Sequence, residues 1–199
     1  MLSWSQDEYI RAFHFAARAH RWQLYAGTSI PYVLHLSFVS MEVIGVGQSG
    51  GPAFNVDLAL QCALLHDVLE DTRVQYEQVH DEFGEDVARG VLALTVNKQL
   101  PKVDQMPECL GRIKLQPREI WMVKLADRIT NLQPPPKHWS KARIRDYHRE
   151  SLVIHEALKD ASPFLAERLW GKIEQYAAFG NQASAASSSV DNKRRRDHG

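Results

Sequence analysis

The segment LLHDVLEDT, residues 64–72, brings one imidazole and three carboxylates together: His66, Asp67, Glu70 and Asp71. At about 3.6 residues per helical turn, His66 stacks with Glu70 and Asp67 with Asp71, crowding all four at one helix end. Carboxylates this close repel one another unless a cation or cationic side chains compensate. A divalent metal is the economical answer: His and Asp are good ligands, and the remaining acids can then handle the protons of water. The bland alternative is an acidic, solvated helix end that runs into Thr72.

A second segment, VKLADRITNL at 123–132, has the same character. Met122, Leu125, Ile129 and Leu132 share one helical face, and Lys124, Asp127 and Asn131 fall opposite. That polar face either meets solvent or lines a cleft. In a cleft, Asp127 would sit on a metal, Asn131 on substrate and Lys124 near a phosphate. Periodicity does not choose between the two, whereas burial of Asp127 would. A third element is PYVLH at 31–35, which places His35 shortly after a helix-initiating proline.

The elements that must hold these residues read as nearly all helix. Tyr9, Phe13, Ala16, Ala17 and His20 form one stripe and predict a helix over 5–24. Gly27 through Pro31 breaks it, and Pro31 opens a second helix running to about Val46. The stretch GQSGGP at 47–52 is a loop by composition. One helix is then predicted over about 56–70, a short one over 74–83 and another over 85–95. Residues 97–118, with their prolines and lysines, read as a loop holding at most a short helix. A helix over about 117–132 stops before Pro134, Pro135 and Pro136, and two more cover about 140–159 and 163–179. The expected fold class is all-α: a single bundle of eight to ten helices over residues 1–180. Residues 181–199, Ser/Ala-rich with a Lys193-Arg194-Arg195-Arg196 run, are expected to form a disordered basic tail.

Length and composition narrow the class. A chain of 199 residues suits one domain with a substantial core. The formal net charge is zero, which removes any global bias toward nucleic acid or anionic membrane. The tail's basic run could contact acidic partners, although a solvated tail is the simpler reading. Cys62 and Cys109 form no CxxC pair, so thiolate zinc and redox motifs are disfavoured. No signal peptide and no membrane-length apolar run is visible, so a cytoplasmic protein is expected.

Taken together, the three polar segments resemble the HD-domain superfamily of metal phosphohydrolases, whose ligand order is His, then His-Asp, then a distant Asp. His35, His66-Asp67 and Asp127 match that order. With GTSIPYVLH (27–35), the Glu-Asp of LLHDVLEDT, FGEDV (83–87) and VKLADRITNL, the chain is most similar to the hydrolase domain of the RelA/SpoT family, in particular to its small stand-alone alarmone hydrolases. The likeness spans about residues 5–178. It implies removal of the 3′-pyrophosphate from (p)ppGpp or (p)ppApp, with one Mn²⁺ on His35, His66, Asp67 and Asp127. Glu70 and Asp71 would position and deprotonate the attacking water. Asn131 would lie near the ribose, and Lys98, Arg143 and Tyr147 near the 5′-phosphates. The expected partner is thus a small nucleotide.

One departure concerns the base. Many family members carry an Arg-Lys pair before the first metal His, packed on guanine. Here RWQLYAGTSIPY (21–32) offers Trp22 and Tyr25 and no such pair. The adenosine alarmones therefore stand beside the guanosine ones as substrates. An HD phosphohydrolase acting on ordinary nucleotides and an inactive nucleotide-binding sensor are the competing readings.

Overall fold

The computed structural model describes residues 4–25 and 27–181. The expected basic tail lies outside them from residue 182 on, and Asn181 ends the last helix. The described residues form ten α-helices: α1 Gln6–Ala19, α2 Val33–Gln48, α3 Val56–Leu65, α4 Val68–Asp71, α5 Tyr76–Phe83, α6 Glu85–Leu94, α7 Lys102–Lys114, α8 Arg118–Asn131, α9 Lys141–Leu158 and α10 Pro163–Asn181. A 3₁₀ turn at Lys159–Ala161 joins α9 to α10. No strand forms among these residues beyond an isolated bridge between Leu24 and Pro31. The all-α expectation is met.

Several helix starts follow from their caps. Ser5 accepts the Glu8 N–H at 3.3 Å, Asn55 the Leu58 N–H at 3.1 Å and Ser140 the Arg143 N–H at 3.2 Å. Helix α3 is buried almost all round, from Val56 through Leu65 with Asp57 the exception, and α8 is buried continuously from Met122 to Thr130. Helices buried on every side belong in a bundle centre. Here α3 packs on α1, α2, α6 and α8, while α2 also packs on α8. The three helices α2, α3 and α8 are mutually in contact, and they carry His35, the approach to His66-Asp67, and Asp127.

Four boundaries differ from the sequence reading. Helix α1 ends at Ala19 rather than near residue 24, because the chain turns at His20 into a tight hairpin. There Tyr25 N–H donates to the Ile30 carbonyl at 2.8 Å and Tyr32 N–H to the Gln23 carbonyl at 2.9 Å. Gly27 takes φ +77° at its tip, a left-handed value that suits glycine. Pro31 is held in that hairpin, so α2 starts at Val33.

The helix expected over 56–70 is interrupted at His66-Asp67. The His66 imidazole folds back onto the Ala63 carbonyl at 2.8 Å, and Asp67 flattens to φ −104°, ψ −1°. Residues 102–114, read as loop, form the full helix α7 around an internal Pro107. Met106, Cys109, Leu110 and Ile113 supply a helical stripe against the core, and it outweighs one missing hydrogen bond.

Close packing at the centre is testable. A Cβ on Gly90 of α6 would stand 2.6 Å from Ile120 Cδ1 and 2.8 Å from Cys62 Sγ. Gly90→Ala should lose about 1 kcal/mol net in denaturant titrations, because overpacking outweighs the gain in helix propensity. A stabilised variant would contradict this packing.

Candidate metal centre

Four side chains from the three central helices and the α3–α4 junction converge. His35 Nε2 lies 3.2 Å from His66 Nε2, 3.3 Å from Asp127 Oδ1 and 3.8 Å from Asp67 Oδ2. His66 Nε2 lies 2.9 Å from Asp67 Oδ2 and 3.8 Å from Asp127 Oδ1. His35, His66 and Asp127 are all buried and each offers one donor atom to a common point. Asp127, which the sequence left either solvated or buried, is 7% exposed.

The tautomers can be worked out from the partners. His66 Nδ1 faces the Ala63 carbonyl, which only accepts, so Nδ1 carries a proton. Thr130 Oγ1 donates to the Asp127 carbonyl at 2.9 Å and so has a lone pair to accept from His35 Nδ1 at 3.3 Å. Both rings therefore turn bare Nε2 lone pairs toward each other. Two facing lone pairs beside two carboxylates require a cation, which is a proton or a metal. Imidazole nitrogen with carboxylate oxygen is a donor set for a divalent transition ion, and both rings are oriented by their outer nitrogens as metal-binding histidines are.

The metal-free electrostatics agree. Burial alone would depress His66, but the adjacent Asp67 carboxylate, seconded by Asp127, overrides it and pushes the imidazole up to about 9. Asp67 is raised by burial yet held at about 2 by His66. Asp127 is likewise opposed by burial and held well below its ordinary value, chiefly by Lys124.

Polar neighbours fix the cluster's carboxylates. Lys124, buried on α8, donates to Asp127 Oδ2 at 3.2 Å, and Asn131 Nδ2 donates to Asp127 Oδ1. The Tyr32 hydroxyl donates to Asp67. Tyr32 and Thr130 had no place in the sequence reading. Tyr32 stands three residues before His35 and Thr130 next to Asn131, so helical spacing from a recognised residue was the available signal.

The Glu70 and Asp71 carboxylates stand beside the four-residue cluster, and their hydrogen bonds go elsewhere. Glu70 Oε2 accepts the Val96 N–H at 2.9 Å, and Asp71 Oδ2 accepts from Gln23 Nε2 at 3.2 Å. Lys98 Nζ bridges the two acids, 3.2 Å from Glu70 Oε1 and 3.3 Å from Asp71 Oδ1. Compensation by cationic side chains, one of the two sequence-level answers to the crowded acids, thus operates at Glu70-Asp71, while the imidazole-carboxylate cluster is the part suited to metal.

A cleft of about 1200 Å³ opens beside the centre. Asn131, Arg143 and Tyr147 line it, whereas Lys98 and Lys124 are engaged with the acids and lie outside its walls. Tyr25 joins cleft to centre: it lines the former, and its ring stacks on His35 at 6.1 Å and 14°. Pro134, Pro135 and Pro136 form part of the rim. Trp139 adds an aromatic wall, with the Arg143 guanidinium 4.1 Å from its ring centroid.

An HD-domain family profile matches residues 12–163, and the chain belongs to that family. Its curated relatives are more specific. It is 31% identical over 172 residues to the guanosine-3′,5′-bis(diphosphate) 3′-pyrophosphohydrolase of Danio rerio, covering 80% of this chain and 89% of that one. The human enzyme of the same name is 32% identical with the same coverage. A solved structure of a metazoan orthologue of SpoT, described as hydrolysing ppGpp with a role in starvation responses, superposes with a TM-score of 0.75. That match has 26% identity and covers 87% of this chain and 98% of the other.

Thr130→Val should leave His35 Nδ1 unpartnered and weaken metal binding by about 10- to 100-fold in calorimetric titration. Metal entry must also displace the proton on His66 Nε2, so binding should release a proton and weaken by up to about tenfold per pH unit below pH 9. For the metal-free protein the sign is fixed by the raised folded value. The stability His66 contributes is complete below about pH 6.5 and lost as pH rises through about 9, which thermal unfolding across that window would report.

Proposed function

We propose that this protein is a metal-dependent 3′-pyrophosphohydrolase of alarmone nucleotides, releasing pyrophosphate from (p)ppGpp or (p)ppApp. The observation that carries the reading is the buried His35, His66 and Asp127 cluster, with Asp67, joined through Asn131 and Tyr25 to a nucleotide-sized cleft. The named activity of the Danio rerio and human relatives over 89% of their length supports it. Among the described residues no helix is long and apolar enough to cross a membrane. A cytoplasmic enzyme acting on a dissolved nucleotide is consistent with that.

In this reading His35, His66, Asp67 and Asp127 hold one Mn²⁺. A divalent ion at that point supplies a Lewis acid for the phosphoryl oxygens and lowers the pKa of water. The protein's own groups do the rest. Glu70 and Asp71 accept the proton of the attacking water and hold it in line, the work of carboxylates with free lone pairs at the edge of a metal cluster. Lys98, now on both acids, moves to substrate phosphate as those acids turn to water, which makes it both a charge balance and a substrate ligand. Lys124 keeps Asp127 ionised. Asn131, fixed on Asp127, faces the ribose. Arg143 and Tyr147 line the cleft for the 5′-phosphates, where a guanidinium suits phosphate recognition. Tyr25 and Trp139 offer aromatic faces to the base, and such stacking accepts guanine and adenine alike.

The deciding experiment is a pyrophosphate-release assay with Mn²⁺ comparing ppGpp and ppApp side by side. Pyrophosphate from either nucleotide is expected, and release of orthophosphate alone would sink the reading in favour of a nucleotidase. Asp67→Ala should lose metal and activity together. Glu70→Gln should keep the metal and lose about 10²- to 10⁴-fold in kcat. Normal turnover by the Asp67 variant would overturn the ligand assignment.

A further inference from the structure

Asp71 is reached by a hydrogen-bonded chain that begins in the core. His20, at the C-terminal end of α1, is 3% exposed. Its Nδ1 lies 2.6 Å from Gln23 Oε1, and Gln23 Nε2 lies 3.2 Å from Asp71 Oδ2. The direction of this chain is forced. Asp71 as a carboxylate only accepts, so the Gln23 amide must present its NH₂ there. Its carbonyl oxygen then faces His20, whose Nδ1 must donate. His20 Nε2 is left buried with no hydrogen-bond partner. A buried polar nitrogen without a partner costs stability, and such groups call for an explanation. Retaining an imidazole there, rather than an apolar ring of similar size, leaves the Nδ1 donor as its distinct contribution.

That donor does one thing on the page. It locks the flip of the Gln23 amide, since a reversed amide would set an oxygen against the Asp71 carboxylate and an N–H against the His20 donor. The hairpin holds Gln23 in place through its carbonyl, which accepts from Tyr32 N–H at 2.9 Å. The other oxygen of Asp71 faces Lys98 Nζ at 3.3 Å. Each oxygen of Asp71 thus has one donor of a different kind. The Lys98 ammonium sits on a flexible, 61% exposed side chain and is the mobile partner. The Gln23 amide, anchored at both ends, is the fixed one.

We propose that Gln23, locked by His20, is a positioning residue for Asp71: it holds one carboxylate oxygen so that the other is presented when Lys98 leaves. This rests on the role given to Asp71 under the proposed function. Gln23 would touch neither metal nor substrate. Its loss should therefore lower turnover while leaving metal affinity and KM in place.

The test uses the full-length, Mn²⁺-loaded enzyme in the pyrophosphate-release assay. Gln23→Met, similar in shape but lacking the amide, should lower kcat about tenfold with KM and Mn²⁺ affinity unchanged, the effect of one hydrogen bond realised in the transition state. His20→Asn keeps a donor at the Nδ1 position and should retain most of the wild-type kcat, whereas His20→Phe should match Gln23→Met. This pair keeps the proposal testable if Gln23→Met fails to fold. A second readout needs no substrate. In metal-free protein the Gln23 side-chain amide proton that faces Asp71 should exchange more slowly in wild type and His20→Asn than in His20→Phe. Unchanged kcat in Gln23→Met, or equal kcat and protection in the two His20 variants, would overturn the proposal. If wild-type enzyme released no pyrophosphate, the proposed function would fail instead, while the exchange measurement would still decide whether His20 locks Gln23.

Discussion

The arrangement turns on two imidazole nitrogens held 3.2 Å apart with their lone pairs facing. Neither ring can turn away. His66 is tied through Nδ1 to the Ala63 carbonyl, and His35 through Nδ1 to Thr130. In a buried site such a pair is unfavourable without a cation between, and the neighbouring Asp67 and Asp127 deepen the demand for one. In the metal-free protein a proton meets that demand: burial opposes it, but the Asp67 carboxylate, with Asp127, pushes His66 up to about 9. The bundle is therefore built around a position for positive charge.

Much of the polar surround follows from that constraint. Each carboxylate of the cluster is steadied from outside: Asp127 by Lys124 and Asn131, Asp67 by Tyr32. The acids just beyond the cluster are balanced separately, by Lys98 across Glu70 and Asp71. Two charge groups thus sit side by side. The inner one centres on the buried His35, His66 and Asp127, and the outer one is bridged by an exposed lysine. Rigid ligands beside adjustable acids suit a hydrolytic site, where the metal stays and water, proton and product move.

The sequence made the chemistry-bearing residues legible because helical spacing is local. LLHDVLEDT and VKLADRITNL each announce a polar cluster against an apolar face, and most helices could be placed from stripes, caps and breakers. Where the reading missed, long-range packing had overruled a local signal. Pro107 suggested a loop, yet the stripe Met106, Cys109, Leu110 and Ile113 binds α7 to the core. The run 56–70 read as one helix, yet the His66 side chain and Asp67 backbone interrupt it.

By itself the sequence determined that the described residues are all-helical and that the chain carries the His, His-Asp, Asp order of its family, because those properties live in residue type and spacing. It left open whether Asp127 meets solvent, where Lys98 and Lys124 point, and what Tyr32, Thr130, His20 and Gln23 contribute. Those were decided only when α2, α3 and α8 packed together, since a hydrogen bond between residues far apart in the chain has no local signature. The distances that bring the cluster together, such as the one from His35 to Asp127 across 92 positions of sequence, belong to the packing of helices and not to any one of them.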